Sequence, residues 1–306
     1  MDRTQYRRGA LLGVLCGVAG QLIWGFVPVF WKTMAGIPPF EVLLHRILWS
    51  FVLLIGVVSL LGRRTSLMSV LRSRRSVAPL CATTLLIAAN WLVFIWAANS
   101  GRVLEISLGF FINPLMNVLL GMIFLRERLR RGQIVAVLLA FAGVANLTLV
   151  SGTLPWTALI LATTFALYGL LRKANPVDPV IGLTVETGLL TPLAVIYLGL
   201  VEVGGRSAWS HADAATDGLL VLSGVVTAVP LLLYVVAAHR LRYVSLGLLQ
   251  YISPTMHFFL AVVLYGEVLT TSHLLTFACI WSGLLLYVGD SWRSSRIELR
   301  NCEATS

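Results

Sequence analysis

Asn113-Pro114-Leu115-Met116-Asn117 and Ser253-Pro254-Thr255-Met256-His257 stand 140 residues apart, each inside a long apolar run. Thirteen residues beyond each proline comes a glutamate, Glu127 and Glu267. The same shift carries Pro39 onto Pro179, Ala97-Ala98 onto Ala237-Ala238, Leu129 onto Leu269 and Gly143 onto Gly283. Ser107-Leu108-Gly109 meets Ser245-Leu246-Gly247 at a shift of 138. Single Leu or Ala matches carry no weight in an apolar chain. A proline and a glutamate at one fixed spacing in both copies do, and the chain reads as an internal duplication.

The 306 residues are 58% hydrophobic and 12% charged, against about 25% charged in soluble domains. Apolar runs near 20 residues recur from end to end, the length that a hydrocarbon core of about 30 Å asks of a helix. Ten runs are legible: 10–31, 41–61, 77–97, 104–125, 133–150, 154–171, 180–200, 218–238, 244–265 and 273–290. Soluble enzymes, DNA-binding proteins and secreted disulfide scaffolds are excluded. The fold class is an all-α membrane protein of ten transmembrane helices in two inverted five-helix repeats. The first repeat is 8–150, the second 154–290, and 291–306 is a cytoplasmic tail. Five is odd, so the second copy must lie upside down. Inverted repeats are a transporter architecture, with the substrate site near the midplane where the repeats meet.

Net charge is +10, which in a soluble protein would point to nucleic acid. Here the 23 Lys and Arg residues sort by connection. Nineteen, Arg172 among them, fall on the side that holds both termini, and three (Lys32, Arg102, Arg206) fall opposite. Arg46 stands inside a run. The positive-inside rule puts both termini in the cytoplasm. The basic stretches 62–75 and 126–131 serve as orientation signals that also meet anionic lipid. Cys16, Cys81, Cys279 and Cys302 form no C-x-x-C, so neither disulfide framework nor zinc site is expected. The run behind Arg7-Arg8 is too long for a signal-peptide core and reads as a retained span.

Polar groups inside a membrane need a reason. Asn113 and Asn117 share one helix face, and their repeat mates Ser253 and His257 share another. Pro114 and Pro254 beside them are expected helix breaks, which at matched positions in two halves point to a binding site. Gln21, Trp24, Asn90, Phe94, Tyr168 and Tyr234 complete the candidate substrate-binding set, suited to a small amphipathic molecule. Interhelical hydrogen bonding is the plainer role for the same groups. For Trp49, Trp156, Trp209 and Trp281 an interfacial or packing role is expected. Gly9, Gly13 and Gly17 form a close-packing stripe whose partner, internal or a second subunit, is open, as is the oligomeric state. Arg46 and Glu186 are repeat mates at opposite depths and are expected to act separately as gate or vestibule charges. Arg46 would turn outward or meet Glu105, and Glu186 would meet Arg240 or Arg242. His257 is the candidate proton carrier.

Gly20-Gln21-Leu22-Ile23-Trp24-Gly25, His45-Arg46-Ile47-Leu48-Trp49-Ser50, the run from Asn90-Trp91 to Asn113-Pro114, and Gln250-Tyr251-Ile252-Ser253-Pro254-Thr255 resemble the RarD group of the EamA family, in the drug/metabolite transporter superfamily. The resemblance covers about residues 8–290. It implies a ten-helix bacterial inner-membrane permease of two five-helix repeats exporting small metabolites or drugs. Chloramphenicol sensitivity attaches to the group as a phenotype. No glycine-rich phosphate loop or H-E-x-x-H is present, and no paired carboxylates stand within the apolar runs, so neither ATP hydrolysis nor a membrane enzyme is expected, and no cofactor or metal. A channel or a structural membrane protein is the alternative to a transporter.

Overall fold

The computed structural model describes residues 3–100, 102–151, 156–205, 209, 213–264 and 271–303. Expectations that rest on the side chains of Ala98, Glu105, Ser107, Arg206, Glu267, Leu269 and Cys302 lie outside what is described. Among the described residues every regular element is helical. The helices are α1 (Arg3–Lys32), α2 (Pro39–Leu60), α3 (Arg64–Arg72), α4 (Arg74–Asn99), α5 (Val103–Phe124) and α6 (Arg131–Ser151). They continue as α7 (Trp156–Ala174), α8 (Pro179–Val203), α9 (Ala214–Arg240), α10 (Tyr243–Leu249), α11 (Ile252–Phe259) with a π-helical turn over Leu260–Leu264, and α12 (Thr271–Glu303).

Seven described segments are long and apolar enough to cross a membrane: Arg8–Lys32, Pro39–Leu60, Arg74–Ala97, Arg131–Val150, Pro179–Val203, Ala214–Arg240 and Tyr243–Leu264. Leu108–Phe124 and Leu274–Asp290 are shorter apolar helices. α7 ends on Arg172 and Lys173 and stands outside that set. The expected count of ten goes beyond these seven. The connection 62–76, expected to be a plain basic loop, holds α3, whose Leu67 is buried against Leu80, Val177 and Ile181.

The helix starts follow from local chemistry. Pro39 and Pro179 open α2 and α8, where the missing N–H costs nothing. Asp178 caps α8, its Oδ1 accepting from the Val180 and Ile181 amides at 3.0 and 3.3 Å. Asp213 caps α9. The Thr216 hydroxyl and backbone N–H hold its carboxyl below the usual carboxylate range. Glu127 does the same across the molecule. Its Oε1 accepts from the Tyr243 amide at 2.6 Å and its Oε2 from the Val244 amide at 2.9 Å, so a residue just past α5 caps α10.

α1 packs on α9 and α11, α2 on α8 and α9, α4 on α7 and α8, α5 on α7 and α10, and α6 on α12. Gly13 and Gly17 face Arg240, Leu241, Leu249 and Ala237 at close range, so that part of the α1 stripe packs within the chain. The largest core cluster includes Ala166, Tyr168, Leu170, Tyr234, Val235, Ala237, Ala238 and Tyr243. It fills the ends of α7 and α9 farthest from the α1–α2 and α4–α5 connections.

Candidate functional site

The opposite half of the bundle is hollow. A cavity of about 230 Å³ is lined by Gln21, Trp24, Pro28 and Trp31 of α1, Arg46 of α2, and Asn90, Trp91 and Phe94 of α4. Gly109, Phe110 and Asn113 of α5 add to this wall. Phe165 of α7, Thr227 and Leu231 of α9, Gln250, and Ser253, Pro254 and His257 of α11 close it from the other half of the chain. Seven of the ten expected substrate-binding residues therefore meet on one wall: Gln21, Trp24, Asn90, Phe94, Asn113, Ser253 and His257.

The other three lie behind it. Asn117 is fully buried and donates through Nδ2 to Gln250 Oε1, the acceptor that Asn113 Nδ2 also uses at 3.1 Å. The i, i+4 spacing does put both asparagines on one face, but one turn deeper that face is covered by Gln250. Tyr234 is buried behind Trp24 and Phe165, its ring 5.9 and 5.3 Å from theirs. Tyr168 is buried and donates to Glu186 Oε2 at 3.2 Å.

The prolines behave unequally. α5 runs without interruption through Pro114, whereas the second copy turns at Gln250–Tyr251 and Pro254 sits in the first turn of α11, where no donor is needed. Of the expected pair of breaks, only the one near Pro254 is present. Gly247 lies opposite Pro114; a Cβ there would meet the Pro114 carbonyl oxygen at 2.8 Å and Asn117 Cβ at 2.9 Å.

Arg46 is on the cavity wall. Its Nε donates to Thr227 Oγ1 at 2.9 Å, and that hydroxyl in turn donates a hydrogen bond to the Ser223 carbonyl at 2.7 Å. The guanidinium lies over Trp31, 4.6 Å from the ring centroid, with Trp91 at 5.5 Å. His257 Nε2 donates to the Trp24 carbonyl at 3.0 Å, and its ring meets Phe110 edge-on. Asn90 Nδ2 donates to the Leu161 carbonyl and to Thr164 Oγ1, at 2.8 and 2.9 Å, tying α4 to α7.

Glu186 lies off the cavity, behind Trp91 and Leu231 of this wall. Its Oε1 accepts from Thr83 Oγ1 at 2.6 Å and lies 3.6 Å from Arg172 Nε. Arg172 is fully buried, with Nη2 donating to the Pro179 carbonyl at 3.3 Å. The partner of Glu186 is therefore Arg172 and not Arg240 or Arg242. Arg172, expected among the loop charges, is instead buried in the last turn of α7. Its guanidinium folds back over Gly182 of α8, where the lack of a side chain leaves room. Arg242 instead approaches Glu127 at 3.8 Å. Glu186 borders its own void of about 10 Å³, shared with Ile87, Trp91, Tyr168 and Leu231. Of the wall residues, Trp31, Thr227 and Gln250 are not among the sequence candidates. Gln250, a lone polar group just ahead of Ser253-Pro254, carried the only signal.

The interfacial tryptophans turn out to sit in aromatic clusters. Trp209 stacks on His45 at 5.5 Å, Trp96 and Trp156 lie 5.2 Å apart beneath Arg102, and Trp281 packs on Phe259.

Residues 11–149 match the EamA-like transporter family. A Vibrio cholerae protein described as an uncharacterized transporter is 42% identical over 300 residues, covering 98% of this chain and 99% of its own. Protein RarD of Escherichia coli is 42% identical over 296 residues, 97% of this chain and 99% of the relative. The chain is a RarD-type member of the EamA family. A Pseudomonas aeruginosa relative, chloramphenicol-sensitive protein RarD, is 31% identical over 298 residues, 94% of this chain and 97% of that one. A solved crystal structure shares the fold, with a TM-score of 0.69 at 19% identity over 92% of this chain and 98% of the other. This EamA-family chain is a multi-pass membrane protein of a transporter family, as its apolar helices and these relatives agree.

Proposed function

We propose that the protein is an alternating-access carrier of the bacterial inner membrane that exports a small amphipathic molecule. Ten spans would form two inverted repeats, 8–150 and 154–290, with both termini cytoplasmic. The observation that carries this reading is the one-sided cavity. It is lined from both halves of the chain and stoppered at one end by packed tyrosines, as expected of one end state of a carrier whose site lies between repeats. The packing supports a two-repeat reading. α2 with α8, α5 with α10 and α6 with α12 are each pairs of repeat mates in contact. A Cβ at Gly143 would meet the Thr276 carbonyl at 2.9 Å, and one at its mate Gly283 would meet the carbonyl of Ala136, the mate of Thr276, at 2.6 Å. One contact thus occurs twice, related by the repeat.

Reconstituted vesicles test the reading. Saturable counterflow of a labelled substrate is expected, whereas a non-saturating conductance would make the protein a channel and sink the carrier. Asn113→Ala and His257→Ala should each weaken substrate binding by about 1–3 kcal/mol, the value of one buried polar contact, with membrane yield maintained. The name of the P. aeruginosa relative puts chloramphenicol among the compounds to screen. A pH gradient across the same vesicles tests proton coupling through His257; failure to accumulate substrate removes that role.

A further inference from the structure

Among the described residues on the cavity wall there is no aspartate or glutamate, and Arg46 is the one group there that stays charged at any ordinary pH. We infer that the cavity takes small organic anions, a carboxylate on an apolar or aromatic body, with Arg46 as the carboxylate anchor. The inference rests on the carrier reading above and names its substrate class.

Three observations carry it. A guanidinium has five N–H donors in one plane. The Arg46 Nε–H is spent on Thr227, and among the described residues neither terminal nitrogen has a hydrogen-bond partner. Trp31 and Trp91 flank the group, their ring centroids 4.6 and 5.5 Å from the guanidinium carbon, and leave the terminal nitrogens of this cavity-lining residue as unspent donors of the kind that grip a carboxylate through two parallel bonds. Second, no acidic side chain among the described residues pairs with Arg46. A charge enclosed by protein is costly without a partner, and an anionic ligand would supply the missing countercharge while a cationic one would be repelled. Third, the rest of the wall fits an apolar body, with Trp24, Phe94, Phe110 and Phe165 around the space and Asn113 Oδ1 left as an unpaired acceptor. A volume of about 230 Å³ suits a molecule of metabolite size.

The test uses the full-length protein in detergent and three ligands of matched body at pH 7.5: phenylacetate, phenylacetamide and phenethylamine. Calorimetric titration should show phenylacetate binding roughly 10-fold or more tighter than phenylacetamide, the worth of a charge-assisted hydrogen bond, with phenethylamine weakest. Arg46→Gln should shrink the acid-over-amide preference to about 3-fold or less, the remainder that neutral hydrogen bonds can supply, while phenylacetamide still binds. Arg46→Lys, which keeps the charge but not the fork, should retain part of the preference and stands in should the Gln variant fail to fold. Equal or tighter binding of the amide or the amine by the unsubstituted protein, absence of phenylacetate binding, or a preference that survives Arg46→Gln overturns the inference. Counterflow separates the two ideas. Arg46-dependent phenylacetate binding without its counterflow would defeat the carrier and leave the anion site standing. Counterflow of the amide or the amine but not the acid would defeat the anion site and leave the carrier.

Discussion

Arg172→Met would leave Glu186 buried beside Thr83 and Tyr168 with no countercharge. Both side chains are essentially inaccessible, at 0% and 2% exposure, so no solvent screening softens the loss. Breaking a buried pair by removing one partner costs about 3–5 kcal/mol, because the other charge stays behind. The pair itself is loosely made. Its shortest separation is 3.6 Å, and Arg172 Nε and Nη1 have no hydrogen-bond partner. Replacing both ends with apolar residues, Arg172→Met with Glu186→Leu, removes both charges and gives up the Thr83 and Tyr168 bonds to the carboxylate and the Arg172 bond to the Pro179 carbonyl, about 1 kcal/mol each. The double variant should therefore cost about 3 kcal/mol, less than either Arg172→Met or Glu186→Leu alone. Thermal unfolding of the four proteins in one detergent reads the order directly. If the double variant is the least stable, or if Arg172→Met is no worse than Arg63→Met at the exposed Arg63–Asp178 pair, the pair does not hold α7 to α8 as described.

Gly247→Leu should disrupt the contact of α10 with Pro114 and Asn117, costing about 1–3 kcal/mol as overpacking does, seen as a lower unfolding temperature. Glu127→Ala removes the cap of α10 and should cost about 1–2 kcal/mol; restoration by Glu127→Asp to the full value would argue against the reach of the longer side chain. For topology, a cysteine placed at the exposed Gly36 should react with an impermeant maleimide in intact cells while Cys302 stays protected, and outside labelling of Cys302 would reverse the orientation.

The apolar runs and the central polar faces are legible because each is a matter of spacing along the chain. Gln21, Asn113, Ser253 and His257 reach one cavity for that reason. What spacing cannot convey is how far a side chain reaches and what covers it. Arg172 reads as a loop charge until Gly182 on the next helix gives its guanidinium a place to lie. Asn117 shares the face of Asn113, yet Gln250 from the other half of the chain covers it. Depth along its own helix says nothing of what surrounds Arg46: the Trp31 and Trp91 rings that flank it belong to other helices, α1 and α4. Pro114 and Pro254 are identical as letters. They differ because only the second copy turns at Gln250–Tyr251.

Trp91 and Leu231 border both the large cavity and the small void beside Glu186. The partition between the cavity and the buried ion pair is thus a single layer of side chains, one from α4 and one from α9. A compound that fills the cavity leans on the same indole whose far side faces the carboxylate's chamber. Trimming that indole to a methyl group would join the two spaces and let water reach the Arg172–Glu186 pair. The aromatic residue at this position therefore acts as insulation as well as a binding surface.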